Sequence, residues 1–149
     1  MASHDLKFDV NTELASRRTG MSFQRTRMSA DRTLMSVIRT SLSLIGFGFT
    51  IFQFFQRLRE QDVITKAAAA RNFGLALVVL GIVMLVLGII YHIQFMIGLR
   101  HMRESMRQEG LIHAESVFPV SLTLVTAFVL LIIGVAAIVS MAFHVGPFG

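Results

Sequence analysis

Cysteine is absent from the sequence of 149 residues. Its absence excludes a disulfide framework, a thiolate metal site and a thiol nucleophile. Few carboxylates fall in the apolar stretches, and no group of residues resembles a catalytic constellation. The histidines lack the spacing of a metal site; they are His4, His92, His101, His113 and His144. We therefore expect a protein that is not an enzyme and that needs no metal or other cofactor.

Apolar residues are abundant. They make up 54% of the chain, and a mean hydropathy of +0.65 is too apolar for an ordinary soluble protein. They form three blocks, each long enough to cross about 30 Å of hydrocarbon as a helix; the blocks are residues 34–55, 73–97 and 118–143. We predict an all-α membrane protein with three transmembrane helices in a domain of residues 32–143, with no separate soluble domain.

The charge of the chain is strongly basic, with a formal net charge of +5. In a soluble protein this positive charge would suggest a nucleic-acid partner. Here the charge is explained by the orientation of the loops across a membrane. The N-terminal segment and the second loop carry nine Lys and Arg residues, and the first loop carries four. Because basic loops stay in the cytoplasm, we predict a multi-pass protein of the cell (inner) membrane with its N-terminus in the cytoplasm and its C-terminus outside. We expect no nucleic-acid partner and no removable signal peptide.

Residues 18–45 consist of a seven-residue motif repeated four times: RTGMSFQ, RTRMSAD, RTLMSVI and RTSLSLI. A seven-residue step is two helical turns with about 20° of drift, so the arginines form a stripe along one face of a helix. The last copy continues into the first apolar block. The repeat therefore predicts a basic stripe that points into a membrane.

The N-terminal part of this repeat precedes the first span. Residues 1–10 are predicted to be poorly ordered, and a basic amphipathic helix of residues 11–31 is expected at the membrane surface. Its surface arginines, Arg18 and Arg25, could be satisfied by water, by anionic lipid headgroups or by an acidic partner. Residues 144–149 are expected to form a short tail.

Polar residues continue along one face of the first span. The candidate anion-binding or pathway residues all lie within about 60° of Arg32 on a helical projection. We call this set the polar seam; its members are Arg32, Ser36, Arg39, Ser43, Thr50 and Gln53. The remaining apolar positions, such as Leu34 and Ile38, are expected to face lipid. An unpaired arginine inside a span costs up to roughly 3 kcal/mol, so Arg39 should face protein, water or phosphate. The alternative is that Arg39 snorkels to the interface.

Glycines recur every seven residues along the second span, at Gly74, Gly81 and Gly88. They predict a smooth face for close helix packing, through which the protein could also self-associate. His92 continues this face without any accompanying ligand set.

The stretch from Ala30 to Phe49 resembles the signature of the YidH-like membrane family, domain of unknown function 202. The matching positions include Arg-Thr pairs at Arg32 and Arg39. The chain departs from the family pattern at Asp31, Ser36 and Val37, which replace Glu, Ala and Trp. Relatives of this domain form the membrane part of the fungal vacuolar transporter chaperone complex, which makes and passes polyphosphate. The resemblance implies that Arg32 and Arg39 face a central pathway formed by several copies.

Two functional hypotheses follow. In the first, a homo-oligomer surrounds a pathway or site for a phosphate-rich anion. In the second, the protein is a non-transporting scaffold or accessory subunit whose basic N-terminus binds anionic lipid or an acidic partner. The lipid bilayer is a partner in both.

Overall fold

Three α-helices make up the regular structure of the part of the chain that can be described. The computed structural model describes residues 2–63, 67–108 and 121–143, with side chains from residue 6 onward. The helices are α1, Ala2–Glu60, α2, Ala68–Gln108, and α3, Leu122–Phe143. All three are long and apolar enough to cross a membrane, and the described part contains no strand. The predicted all-α membrane fold with three spanning helices is confirmed.

The N-terminal boundary of α1 differs from the expectation. Residues 2–10, predicted to be poorly ordered, are helical, and residues 11–31 are the middle of α1 and not a separate helix. The Thr12 hydroxyl donates to the Phe8 carbonyl at 2.9 Å, as inside a continuous helix. No glycine or proline precedes Gly20, and extending a helix costs far less than nucleating one. The 59 residues of α1 span about 88 Å; where residues 11–31 lie relative to a membrane surface stays a prediction.

The other predicted boundaries are met in part. Helix α2 extends past the predicted span of residues 73–97 on both sides; its flanks contain no proline, and the single glycine in them, Gly98, does not interrupt the helix. Helix α3 is described as far as Phe143, so the predicted end of the third span at residue 143 stays a prediction. The start of the third span at residues 118–120 and the tail of residues 144–149 lie outside the described residues.

The core lies on one face of α1, against α2 and α3. One cluster contains Leu34, Ile38 and Leu85, and a second contains Ile45 and Phe52 with Val78; the further buried members are Ile89, Ala127, Leu130 and Met141. We expected the apolar positions of α1 to face lipid. That expectation is wrong for Leu34, Ile38, Ile45 and Phe52, because the face opposite the polar seam is the one that packs on α2 and α3.

The glycines of α2 lie against α1, where the two helices approach most closely. A Cβ atom added at Gly48 of α1 would lie 2.5 Å from the carbonyl oxygen of Gly74, and one added at Gly74 would lie 2.7 Å from the carbonyl oxygen of Gly48. Further along, Gly81 faces Ile45 and Gly88 faces Val37. The glycine face is therefore occupied by α1 of the same chain. It is not available for the self-association that we expected through it.

The end of α1 near α2 is held by specific contacts. Asp62 adopts a positive φ of 54°, its amide donates to the Arg59 carbonyl, and the Val63 amide donates to the Leu58 carbonyl. With Asp62 as the left-handed residue, these two bonds form a Schellman motif, which commonly ends a helix. Beside it, Arg71 of α2 donates to Gln56 at 3.1 Å. These contacts hold the end of α1 beside the start of α2.

Gly74→Ala is expected to lower the free energy of unfolding by about 1–3 kcal/mol, because the new methyl group would meet backbone atoms of Gly48 and Phe52 that cannot move aside. Gly98→Ala is the matched control, since nothing lies within 4 Å of the added Cβ. It should raise stability by up to about 1 kcal/mol, because alanine favours helix. Detergent-titrated unfolding followed by circular dichroism measures both. Similar effects of the two substitutions would contradict the close packing.

Candidate functional site

The polar seam lies on the face of α1 that no other described helix covers. Five of its members, Arg32, Ser36, Arg39, Ser43 and Thr50, are exposed, and Gln53 is half-buried. The buried positions of α1 lie about 160–240° around the helix from Arg32; they are Leu34, Ile38, Ser41, Ile45, Gly48 and Phe52. Within one chain, the seam therefore points away from the helix bundle.

The hydroxyl groups of the seam are partly satisfied by the helix itself. Ser43 donates to the Arg39 carbonyl at 2.9 Å, and Thr50 donates to the Gly46 carbonyl at 2.8 Å. Such bonds to the preceding turn let a hydroxyl lie in an apolar environment without an outside partner. They leave the guanidinium groups as the charged donors of the seam.

The two seam arginines have no counter-charge among the described residues. Neither the Arg32 nor the Arg39 guanidinium makes a hydrogen bond or an ion pair with another described side chain. Each guanidinium can offer a planar fork of N–H donors to a carboxylate or a phosphate. Successive arginines of the repeat rise by about 10.5 Å, so the stripe offers regularly spaced sites for one extended anion or several small ones.

The repeat divides its positions between the two sides of α1. Its third and sixth positions vary in residue type, and all of them are buried or half-buried; they are Gly20, Phe23, Arg27, Ala30, Leu34, Val37, Ser41 and Leu44. The first, fourth and fifth positions are constant as Arg, Met or Leu, and Ser, and all of them are exposed, including Arg18 and Arg25. The constant chemistry therefore faces outward at every level of the repeat.

A group of three polar residues, which we call the polar node, joins the helices beside the seam. The Ser121 hydroxyl donates to Asp31 Oδ1 at 2.9 Å, and His92 Nε2 lies 3.6 Å from the same oxygen. That gap is just beyond hydrogen-bond reach. His92 is 3% exposed, and neither ring nitrogen has a hydrogen-bond partner among the described residues. The node ties α1 to the start of α3, with the buried ring of α2 beside it.

Sequence reasoning missed two of the contacts that fix the helices. Ser121 and Asp31 were not paired, and Gly48 was not recognised as the partner of Gly74. The signal for Gly48 was present, since Ser41 and Gly48 place small residues seven apart on the face opposite the seam. No signal along a single chain pairs Asp31 with Ser121, because that contact depends on how α3 docks.

Comparison with known families now adds one finding. Residues 25–98 match the model of DUF202, a domain of unknown function. The match supports a DUF202/YidH-like family for this chain. The DUF202 segment contains the whole polar seam, Asp31, His92 and the glycine contacts, but not α3 with Ser121. No curated protein and no solved structure matches the chain.

Asp31→Ala is expected to destabilise the bundle by about 1.5–3 kcal/mol, because it removes a charged acceptor that Ser121 uses in a partly buried place. Asp9→Ala is the control, since Asp9 is exposed on the same helix and should change stability by less than about 0.5 kcal/mol. Detergent-titrated unfolding compares the two variants. Equal destabilisation would show that the Asp31 contact contributes nothing specific.

Proposed function

We propose that copies of this small membrane protein assemble so that their polar seams face a shared space, and that the seam binds or conducts a phosphate-rich anion. The observation that carries the proposal is the outward position of Arg32 and Arg39 on a helix that is apolar enough to span a membrane.

The cost of leaving the seam in lipid supports assembly. An arginine at the centre of a spanning helix costs about 3 kcal/mol on insertion scales, and the cost falls when the side chain faces protein, water or an anion. Snorkelling relieves the charge of Arg39 alone, whereas a shared polar space between copies would also receive the exposed hydroxyl groups of Ser36, Ser43 and Thr50.

The chemistry of the seam supports a phosphate ligand. Guanidinium forks match the geometry of phosphate oxygens, and a basic stripe without internal carboxylates favours a ligand of high negative charge. The resemblance to polyphosphate-passing membrane domains points the same way. Lipid phosphates offer the same oxygens, so an assay has to separate headgroup binding from binding of a free anion.

For the orientation, we infer that the N-terminal half of α1 lies in the cytoplasm and that the C-terminus of α3 lies outside the cell (inner) membrane. The support is the excess of Lys and Arg in the N-terminal segment and second loop, nine against four. Phosphate-rich anions made in the cytoplasm would then meet Arg18 and Arg25 before Arg32 and Arg39.

Arg39→Leu is expected to reduce the release of entrapped inorganic tripolyphosphate from protein-containing vesicles at least about tenfold, because the substitution removes a charged donor inside the seam. Arg100→Leu is the control, since Arg100 is exposed on α2 away from the seam and its loss should leave the rate unchanged. Vesicles of neutral lipid remove the headgroup as a source of phosphate. An unchanged rate with Arg39→Leu would refute the anion pathway.

The scaffold hypothesis remains the alternative, and one observation favours it. Every described side chain from Leu6 to Ala15 is exposed, so this end of α1 projects beyond the other helices. If the protein only anchors a partner, replacing Arg18 and Arg25 together with alanine should abolish capture of that partner from native membranes. The parent protein would then release no tripolyphosphate. Undiminished capture with the double variant would exclude a scaffold that works through these arginines.

A further inference from the structure

Methionine side chains recur beside the arginines on the outer face of α1. The fourth position of the repeat is Met21, Met28 and Met35 in the first three copies, and these side chains are 52%, 55% and 44% exposed. The fourth copy, which lies deepest in the predicted span of residues 34–55, has Leu42 there instead. The three thioethers, which we call the methionine stripe, therefore lie before the predicted span or at its start, within reach of dissolved reagents.

Each residue of the methionine stripe lies between two arginines. Met28 follows Arg25 by three residues and precedes Arg32 by four, and Met21 and Met35 have arginines at the same two spacings. Residues three and four apart on a helix are neighbours, with about 5–6 Å between their Cβ atoms. The guanidinium groups of Arg25 and Arg32 make no hydrogen bond or ion pair with another described side chain. An acceptor formed on the sulfur would therefore have guanidinium donors on both sides.

The thioether sulfur is the group of this face that a mild oxidant changes. The chain has no cysteine, so no thiol competes for the oxidant. When hydrogen peroxide reacts, its O–O bond breaks, an S=O bond forms, the sulfur loses two electrons, and water leaves with both protons of the peroxide. The product is methionine sulfoxide, which reductases convert back to methionine. The sulfur is a weak acceptor before the reaction, whereas the sulfoxide is polar and its oxygen accepts hydrogen bonds.

We propose that the methionine stripe is a reversible oxidation site, and that its sulfoxide oxygens accept hydrogen bonds from the arginines beside them. Oxidation by a peroxide then gives each of these arginines an internal acceptor where it had an apolar neighbour. A guanidinium that donates to a sulfoxide offers fewer free N–H groups to an anion. The oxidation site stands apart from the proposed function, whereas its effect on anion binding rests on that function.

Two other methionines are internal controls for the reaction. Met102 on α2 is 55% exposed, as Met28 is, but no arginine lies three or four residues from it along its helix. Met141 on α3 is 4% exposed and belongs to the core. Comparison with Met141 tests the effect of exposure on the reaction, and comparison with Met102 tests the effect of the neighbouring arginines.

The reaction is measured on the purified protein in a neutral detergent, treated with dilute hydrogen peroxide. Mass spectrometry of peptides follows each methionine separately. Because oxidation follows exposure, Met21, Met28 and Met102 should be oxidised at least about tenfold faster than Met141. Oxidation of Met141 as fast as Met28 would show that the stripe is not a selective site.

The contact between sulfoxide and guanidinium is measured by nuclear magnetic resonance of protein labelled with ¹⁵N-arginine. The Nε–H signal of Arg25, which lies between Met21 and Met28, should shift when the protein is oxidised. Arg59 is the control, since it is exposed on the same helix and has no methionine three or four residues away. In Met21→Leu/Met28→Leu, the Arg25 signal should stay in place after the same treatment. An Arg25 signal that does not shift in the oxidised parent protein would overturn the contact.

The effect on anion binding is measured with inorganic tripolyphosphate by titration calorimetry. Oxidation should weaken binding about two- to fivefold, because contacts between helix neighbours compete modestly for the guanidinium donors. Met21→Leu/Met28→Leu/Met35→Leu keeps the apolar side chains without an oxidisable sulfur, so its affinity should be the same before and after peroxide. Met102→Leu should remain as sensitive to peroxide as the parent protein.

The outcomes separate the oxidation site from the proposed function. A parent protein that binds no tripolyphosphate would refute the proposed anion site, and the Arg25 signal would still decide whether the sulfoxide contact forms. Equal tripolyphosphate affinity before and after oxidation would refute the effect on binding and leave the proposed function standing. A triple leucine variant that loses as much affinity on oxidation as the parent would assign the loss to residues outside the methionine stripe, which also overturns the proposal.

Discussion

The contact between the backbones of Gly48 and Gly74 is the constraint on which the rest of the arrangement depends. At this point α1 and α2 approach so closely that neither glycine has room for a Cβ atom. Rotating α1 about its axis would bring a side chain into that contact and push the helices apart, so the rotation of α1 is fixed. Because the polar seam lies opposite Gly48 on the same helix, fixing the rotation directs the seam outward.

The same seven-residue period then organises two surfaces with different requirements. On the inner side the residue changes from level to level, and the levels that contact α2 meet different parts of it: Val37 lies against Gly88 and the Ser41 backbone against Gly81. On the outer side the residue types stay the same, so whatever meets that side must present similar chemistry at each level. Separate positions of the repeat thus supply the internal packing contacts and the outer polar groups, so the two requirements do not compete for the same residues.

Much of this arrangement is predictable from the sequence, and the rest depends on contacts between distant segments. The three apolar blocks and the polar seam follow from hydrophobicity and helical periodicity, which are properties of each segment alone. What Gly74 and Gly81 face is not such a property, since a smooth helix face can receive its own chain or another copy. The contact of Asp31 with Ser121 likewise depends on how α3 docks. Residues 2–10 are helical because α1 continues through them, although their polar composition alone predicts poor order.

The polar node bears on the charge of the seam. Asp31 directly precedes Arg32 and is the carboxylate that could have neutralised it, yet it lies about 100° around the helix and its Oδ1 accepts the Ser121 hydroxyl beside His92. The docking of α3 therefore holds this carboxylate toward the bundle and away from the outer face. The guanidinium groups of Arg32 and Arg39 have no partner among the described residues. A bound anion would supply such a partner.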